Sequence, residues 1–365
     1  MTKAAGAAAA SEDAVLKTRI HTLVCLAATS ALFACTLLPV TRGPAPTGYA
    51  GQSLPKTDDR FPNWPLPPDV FESLSTQGNP IRESEAGAGA GTTGAKKVEI
   101  RFRSTGHVVP FKWKPMEGAY KPFYGRLDGV NNSPRKELAA WKIQELFLDP
   151  EDYVVPFSIA NCVPIEDGEG SEEGATSTLS GTHCELGVAS VWMKDVTLPD
   201  PLRDDERFNR DYTYAYYLAN LNLLTYVIKH HDGRPGNFLV SKDDARRQAF
   251  AIDNGVAFGG TFYNWFARNW NDIRVPALRK ESIDRLRKLT EEDVEKLLGV
   301  VAQLELGDDG VYVNVPPGEN LDDDDGVRIE GKVLQLGLTD DEIEDVWERI
   351  EDLIEDVDEG DIAVF

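Results

Sequence analysis

The sequence predicts an α+β fold with two lobes, a small β-rich lobe followed by a helical one, and a helical acidic extension at the C-terminus. Segments before Pro201 alternate apolar and polar residues, as strands do. After Pro201 the pattern changes to longer apolar stretches with helical spacing. With 365 residues, 41% of them hydrophobic and 27% charged, the chain is too apolar to be disordered throughout.

Residues 1–42 are predicted to be a signal or anchor segment. They contain the uncharged stretch TLVCLAATSALFACTLLPV, which is close to the length of a membrane-spanning helix and follows Lys17 and Arg19. Three outcomes are open: an uncleaved anchor, a signal cleaved near Gly48-Tyr49-Ala50, and a lipoprotein signal with Cys35 as its lipid attachment site. We expect the bulk of the chain to be membrane-anchored or exported, outside the cell or in a secretory lumen.

Residues 43–95 are rich in Pro, Gly, Ala and Ser and end in EAGAGAGTTGA. This composition predicts a flexible tether, with regular structure beginning at Lys96. From there we expect one domain, with a small lobe over residues 96–198 and a helical lobe over residues 199–300.

The acidic residues are concentrated in the extension, residues 301–365. The formal net charge of the chain is −23, and the extension holds 22 acidic residues against 3 basic ones. Phosphate groups repel such a chain, so nucleic acid is not expected as a partner. The stretch LTDDEIEDVWERIEDLIEDV has apolar residues on one helical face, which predicts a folded helix with its charge facing solvent.

The small lobe is predicted from four strand-like segments and one helix. The strands are KKVEIRFRS, VVPFKWKP, YVVPFSIA and CELGVASVWM, and the helix is PRKELAAWKIQELF. Cys162 and Cys184 lie near the last two strands. An exported chain permits a disulfide between them, and two free buried thiols are the alternative.

The helical lobe is predicted from YTYAYYLANLNLLTYVIKHH, which is apolar enough to be a buried helix. NFLVS and AFAIDNG are short apolar strands joined by a charged turn. Further along, LTEEDVEKLLGVVAQL is predicted to be a helix that begins with a Thr cap.

The candidate chemistry lies between residues 230 and 255. Asp232 and Asn237 are five residues apart, and Asp253 follows at the end of the strand AFAI. An Asp-x-x-x-x-Asn motif followed by a strand that ends in Asp-x-Gly is the order of side chains that phosphoryl transfer requires. We expect Asp232 to accept the proton of the attacking hydroxyl, and Asn237 and Asp253 to bind Mg²⁺ or Mn²⁺.

The same chemistry needs a lysine that contacts the nucleotide phosphates and a glutamate that orients it. Lys114 ends a predicted strand, and Glu137 lies in the first predicted helix. Lys112 is the competing candidate, because strand alternation places it on the same face as Lys114. Trp192 and Met193 are expected to flank the adenine, with packing in the core as the alternative.

Several of these motifs resemble a known family. KPM at Lys114–Met116, KELAAW at Lys136–Trp141, HHDGRPGN and IDNGVAFG occur in the order typical of the secretory-pathway kinases of the Golgi casein kinase and four-jointed type. The type II phosphatidylinositol kinases share a similar set. The resemblance extends over residues 96–298 and implies a protein-kinase-like fold and the roles given above for the candidate residues.

The chain also departs from that family. Asp232-Gly233-Arg234 stands where the Golgi casein kinases have Asp-Arg-His, most of their cysteines are missing, and no Gly-rich phosphate loop is predicted. The prediction is an ATP- and metal-dependent kinase that phosphorylates a hydroxyl of a protein, with a glycan or lipid as alternative acceptors. A catalytically inactive pseudokinase that serves as a binding module, and an enzyme that transfers AMP, are the alternatives on the same site.

Overall fold

The computed structural model describes residues 45–75, 81–88, 95–116, 133–165, 179, 181–259 and 274–365, and its architecture is mixed α+β. The helices of these ranges are α1 (Pro68–Ser75), α2 (Arg135–Ile143), α3 (Asp205–Arg210), α4 (Tyr212–Val227), α5 (Lys280–Leu286), α6 (Glu291–Leu298) and α7 (Asp340–Asp358). The strands are β1 (Ile81–Ala88), β2 (Lys96–Arg101), β3 (Val108–Pro115), β4 (Ser158–Pro164), β5 (Cys184–Val191), β6 (Val196–Thr197), β7 (Phe238–Ser241), β8 (Ala249–Ala251), β9 (Ala302–Leu306), β10 (Tyr312–Val315), β11 (Val327–Glu330) and β12 (Val333–Leu336).

The strands form three antiparallel sheets, of five, four and three strands. The signal or anchor predicted over residues 1–42 lies outside the described residues. Among the helices of the described ranges, none is long and apolar enough to cross a membrane.

The first sheet has the strand order β1-β2-β3-β5-β4, and α2 connects β3 to β4. Three of the four predicted strands and the helix are therefore confirmed, whereas the strand predicted over YVVPFSIA begins later, at Ser158, and continues to Pro164. Aromatic residues fill the space behind this sheet: Phe71 stacks on Phe157 with ring centroids 5.0 Å apart, and Trp141 of α2 packs edge-on against Phe157 at 5.3 Å. The buried aromatic cluster fixes the position of α2 against the sheet.

The expectation that regular structure begins at Lys96 is wrong. Helix α1 and strand β1 lie within the predicted tether, and β1 pairs with β2 as the edge strand of the first sheet. The average composition of this segment does not indicate that it is folded. Trp64 and Phe71 are isolated in the sequence, yet both are buried against aromatic residues of the domain. Burial of a few large aromatic rings can hold a segment in place even when most of its residues are polar.

The helical part of the chain surrounds α4, and nearly every residue of this helix is buried. Asp211 caps it by accepting a hydrogen bond from the backbone N–H of Tyr214. Strands β7 and β8 form a hairpin beside it, in which Phe238 pairs with Ala251. The predicted buried helix and both predicted strands are confirmed.

The prediction that the C-terminal extension is helical is only partly correct, because strands β9 to β12 form a sheet with the order β10-β9-β12-β11. The predicted helix LTEEDVEKLLGVVAQL ends at Leu298, and its last residues belong to β9. Leu304, Leu334 and Leu336 of this sheet share one apolar core with Leu138 of α2. Short paired strands of this kind are stabilised by partners distant in sequence, which no local pattern reveals.

Helix α7 is confirmed, and its first turn connects the extension to α2. Glu342 accepts hydrogen bonds from both terminal nitrogens of Arg135, at 2.7 and 3.0 Å, and lies 2.8 Å from Nζ of Lys136. Burial alone would raise the pKa of Glu342, but Arg135 and Lys136 outweigh it and lower the pKa to about 2. Burial lowers the pKa of Lys136 to about 8, so that it stays protonated at neutral pH.

A disulfide joins Cys162 of β4 to Cys184 of β5, with Cα atoms 5.4 Å apart. The pairing permitted by the sequence is therefore present, and both residues lie in the core shared with the extension.

Replacing both cysteines with alanine is expected to lower the free energy of unfolding by about 3 kcal/mol, because the bond closes a loop of 22 residues in the unfolded chain. Chemical denaturation under non-reducing conditions measures this difference. Reducing agent should lower the stability of the wild type to that of the variant and leave the variant unchanged. Equal stability of the oxidised wild type and the variant would contradict the expectation.

Glu342→Gln should remove a stabilising contribution that depends on pH. Because the folded pKa of Glu342 is depressed, this contribution is present above pH 4.5 and is lost as pH falls toward 2. The wild type should therefore lose about 3 kcal/mol more than the variant across that window. Denaturation curves at several pH values check this, with Glu344→Gln on the exposed face of the same helix expected to follow the wild type. Parallel pH profiles for Glu342→Gln and the wild type would refute it.

Candidate active site

Strand β3 carries the two candidate lysines. Val109 and Phe111 face the apolar core, so side-chain alternation directs Lys112 and Lys114 to the opposite face of the sheet. The shared face predicted for the two lysines is confirmed, because both ammonium groups contact the carboxylate of Asp253.

The Lys114 ammonium is the centre of a buried ion cluster. Only 4% of its side chain is exposed, and Nζ donates hydrogen bonds to Oε1 of Glu137 and to Oδ1 of Asp253. The Lys112 ammonium lies 3.3 Å from Oδ2 of Asp253. Strand β3, the first turn of α2 and the segment after β8 therefore meet at one cluster of charges.

The charges in this cluster stabilise each other in their ionised forms. Burial would lower the pKa of Lys114, but the carboxylates of Glu137 and Asp253 outweigh it and raise the pKa above its ordinary value. Burial would likewise raise the pKa of Asp253, but Lys114 and Lys112 hold it well below its ordinary value. At neutral pH Asp253 is therefore ionised and Lys114 is protonated.

Asn254 also belongs to the cluster, although no role was predicted for it. Its Nδ2 donates a hydrogen bond to Oε2 of Glu137 at 3.2 Å, and Nζ of Lys136 donates one to the carbonyl of Ala257 at 2.8 Å. Residues 254–257 thus run along the first turn of α2. Asn254 stands inside the motif IDNG, but the motif does not reveal which side chain it contacts.

Asp253 has a left-handed backbone conformation, with φ 66° and ψ 51°. Residues other than glycine rarely adopt this conformation, and it persists where surrounding contacts determine it. Here the contacts are the two lysine ammonium groups, which hold the carboxylate directly after the short strand β8.

Asp232 and Asn237 lie in one loop that ends in a short 3₁₀ turn before β7. Nδ2 of Asn237 donates a hydrogen bond to the backbone carbonyl of Asp232 at 2.9 Å, and Arg234 forms an ion pair with the Asp232 carboxylate at 3.2 Å. The backbone N–H of Ile252 donates to the carbonyl of Asn237 at 2.9 Å. This bond places Asp253, the next residue, at the same end of the β7–β8 hairpin as the loop.

His230, two residues before Asp232, is completely buried. Burial lowers its pKa below the ordinary value, and the nearby charges of Asp232, Glu137 and Asp253 oppose this only in part. Burial also lowers the pKa of His231 to about 4. Both imidazoles are neutral at pH 7, which agrees with packing beside the loop.

A cleft of about 500 Å³ opens beside the ion cluster. Lys112, Glu137 and Asp253 line one part of it, and Trp192 and Met193 line another. The predicted adenine-flanking pair therefore does face the same cleft as the charges. Its remaining walls include apolar side chains, namely Pro156, Val191, Val196, Leu198, Leu239 and Ile252. A volume of this size accommodates a small-molecule ligand.

The sequence contains a Gly-rich segment, although no Gly-rich phosphate loop is predicted from it. The residues between β1 and β2 have the sequence GAGTTG at 89–94, which is a G-x-G-x-x-G motif. These residues lie outside the described ranges, so the statement concerns only their place in the chain. The sequence predicts a tether over these residues, because it does not predict the strand β1 that precedes them.

The two predicted metal ligands already have partners: lysines contact both oxygens of Asp253, and Oδ1 of Asn237 accepts a hydrogen bond from Nε of Arg234 at 3.4 Å. In the described part of the chain there is no group of three or more His, Cys, Asp or Glu side chains that could hold a metal by themselves.

No protein-family model matches the sequence, and no curated protein does. The candidate site therefore depends on the geometry given above.

Glu137→Gln should lower the free energy of unfolding by about 3 kcal/mol, because the buried Lys114 ammonium loses one of its two carboxylates. Chemical denaturation at neutral pH measures the loss. The matched control is Asp308→Asn, whose ion pair with Lys332 is fully exposed and whose removal should leave stability unchanged. If the two variants were equally stable, the Lys114–Glu137 pair would not have the strength that its burial indicates.

Proposed function

We propose that the protein is an atypical kinase of the Golgi casein kinase and four-jointed type, which transfers phosphate from ATP to a hydroxyl group. The observation that carries this proposal is the ion cluster of Lys114, Glu137 and Asp253. Protein kinases use a lysine on the third strand of a sheet, a glutamate on the following helix and a metal-binding aspartate for phosphoryl transfer. In this proposal the first sheet and α2 form the smaller lobe, and α3 to α5 with β6 to β8 form the larger one.

Lys114 is proposed to bind the nucleotide phosphates. Its ammonium is held by Glu137 from one side, which leaves its position fixed when Asp253 turns toward a metal ion. Lys112 brings a positive charge to the wall of the cleft, which Lys114 itself does not line; Lys114 lies behind its partners Glu137 and Asp253, which do line it. The G-x-G-x-x-G sequence between β1 and β2 stands where kinases have the loop that covers the phosphates, and this placement adds support.

Asp232 is proposed to accept the proton of the acceptor hydroxyl. Its side chain is about one-quarter exposed, so an acceptor can reach it from solvent, and Arg234 lies beside it to balance its charge. The hydrogen bond from Asn237 to the Asp232 carbonyl holds the loop that carries this carboxylate. A positioned carboxylate of this kind contributes general base catalysis.

Asn237 and Asp253 would hold the metal ion. A carboxylate and an amide oxygen, completed by phosphate oxygens, suit Mg²⁺, which rarely depends on protein ligands alone; Mn²⁺ accepts the same donors. When bound, the ion would neutralise negative charge on the phosphates. For Asp253 to contribute, its carboxylate must exchange at least one lysine contact, since Lys114 and Lys112 occupy its two oxygens.

The adenine is proposed to enter the cleft beside Trp192 and Met193. Trp192 is 44% exposed and Met193 is buried, so one residue forms the rim and the other the interior of the pocket. Apolar walls with a few polar groups are typical of nucleotide-sized sites. The Lys97 ammonium lies 4.6 Å from the Trp192 ring centroid and orients this rim residue.

The protein is proposed to act outside the cytosol, tethered through its N-terminal segment. The Cys162–Cys184 disulfide supports this, because such bonds persist in oxidising compartments. The acceptor is proposed to be a protein hydroxyl, with a glycan or lipid as alternatives. The acidic chain disfavours a nucleic-acid partner.

A second candidate is a pseudokinase that binds nucleotide without turnover. The engagement of both Asp253 oxygens by lysines favours it, because those contacts compete with a metal ion. Thermal-shift measurements with ATP distinguish the two functions. An active kinase should be stabilised more by ATP with Mg²⁺ than by ATP alone, whereas a pseudokinase of this kind should respond equally to both.

Incubation with γ-labelled ATP and Mg²⁺ or Mn²⁺ is expected to label the protein or an added acceptor. Asp253→Ala should abolish the transfer, and Asp232→Asn should slow it by about 10²- to 10⁴-fold through loss of the base. Asp308→Ala, which removes an exposed carboxylate, is the control and should match the wild type. Equal labelling by the wild type and Asp253→Ala would remove the enzymatic proposal, and label from α-labelled ATP would instead indicate AMP transfer.

A further inference from the structure

The first turn of α2 carries two buried cations next to the candidate glutamate. Arg135 is 4% exposed and Lys136 is completely buried, and Glu137 follows them directly. Cations at a helix N-terminus face the positive end of the helix dipole, and removal from water adds a larger cost. This turn can therefore remain packed only if an anion compensates both cations.

Among the described residues, Glu342 of the C-terminal extension provides such an anion to both cations. Its two carboxylate oxygens accept from the two terminal nitrogens of Arg135, and one of them also lies 2.8 Å from Nζ of Lys136. Its own position is held by the capping box of α7, in which the backbone N–H of Glu342 donates to Thr339 and the Thr339 N–H donates back to its carboxylate. The carboxylate is thus fixed at the start of a 19-residue helix.

Other contacts leave this arrangement little freedom. Arg135 also donates to the carbonyl of Gly337 at 2.6 Å, and a Cβ at Gly326 would lie 2.3 Å from the guanidinium group. Lys136 reaches across to the carbonyl of Ala257, four residues after Asp253. The cations therefore connect the extension to both sides of the ion cluster around Lys114.

We propose that Glu342 is a positioning residue for the active site. By neutralising Arg135 and Lys136 it holds the first turn of α2 in place, and with it the Glu137 carboxylate that orients Lys114. The acidic extension is then an internal part of the catalytic apparatus. The consequence for ATP rests on the proposed function, whereas the effect on α2 does not.

Loss of the Glu342 carboxylate should displace α2. Without the shared carboxylate Lys136 can lose its proton, because its pKa is already lowered to about 8, but the Arg135 guanidinium cannot, so the turn should open until water reaches Arg135. Glu137 would move with it and weaken its contact with Lys114. If instead Arg135, Lys136 and Glu342 are all replaced by apolar residues, no charge remains to be hydrated, and the turn should stay packed.

The experiment compares four full-length proteins: wild type, Glu342→Gln, the control Glu344→Gln, and the triple variant Arg135→Met, Lys136→Met, Glu342→Met. Amide hydrogen exchange of residues 133–143 reports the position of α2, and titration with ATP and Mg²⁺ reports the site. Glu342→Gln should exchange faster in α2 and bind ATP about tenfold more weakly, while Glu344→Gln and the triple variant should behave as the wild type.

Two results would overturn the proposal. One is unchanged exchange in α2 of Glu342→Gln. The other is failure of the triple variant to restore the protection that Glu342→Gln loses, since the carboxylate would then act otherwise than as a counter-ion. If the wild type did not bind ATP, the proposed function would fail, but the exchange data would still decide whether Glu342 positions α2.

Discussion

The fold around the site depends on one constraint, the burial of the Lys114 ammonium. A charge removed from water must be matched by opposite charge, and here two carboxylates provide it from segments 23 and 139 residues away in the chain. The sheet, the first turn of α2 and the segment after β8 must therefore remain together. The left-handed conformation of Asp253 is a local cost of this arrangement, and the cluster compensates for it.

Helix α2 connects the ion cluster around Lys114 to the aromatic core and to the C-terminal extension. Glu137 directs it toward the sheet, Trp141 packs into the aromatic core, and Arg135 and Lys136 connect it to the C-terminal extension. The extension therefore has two kinds of acidic residue. Most face solvent on α7 and the preceding loop, whereas Glu342 faces inward and serves as a counter-ion.

The chemistry proposed for the site follows from the neighbourhood of two regions with different polarity. The apolar walls of the cleft suit the adenine ring of a nucleotide, and the ion cluster at its edge suits the phosphates. The difference between an enzyme and a nucleotide-binding module then lies in Asp253. Its carboxylate is shared by Lys114 and Lys112, and the proposed catalysis would require that a metal ion replace one of these contacts.

The sequence by itself determined the candidate side chains and the regular elements with strong local patterns. The spacing of Asp232, Asn237 and Asp253 was readable because these residues belong to short motifs beside apolar strands. Helix α4 was readable from its long apolar stretch, and α7 from helical spacing and its capping box. The tertiary structure alone decided that β1 and the sheet β9 to β12 exist, that Asn254 contacts Glu137, and that Glu342 points inward. The physical reason is that strands of four residues and single buried charges are stabilised by partners far along the chain, and such partners leave no periodic signal in the segment itself.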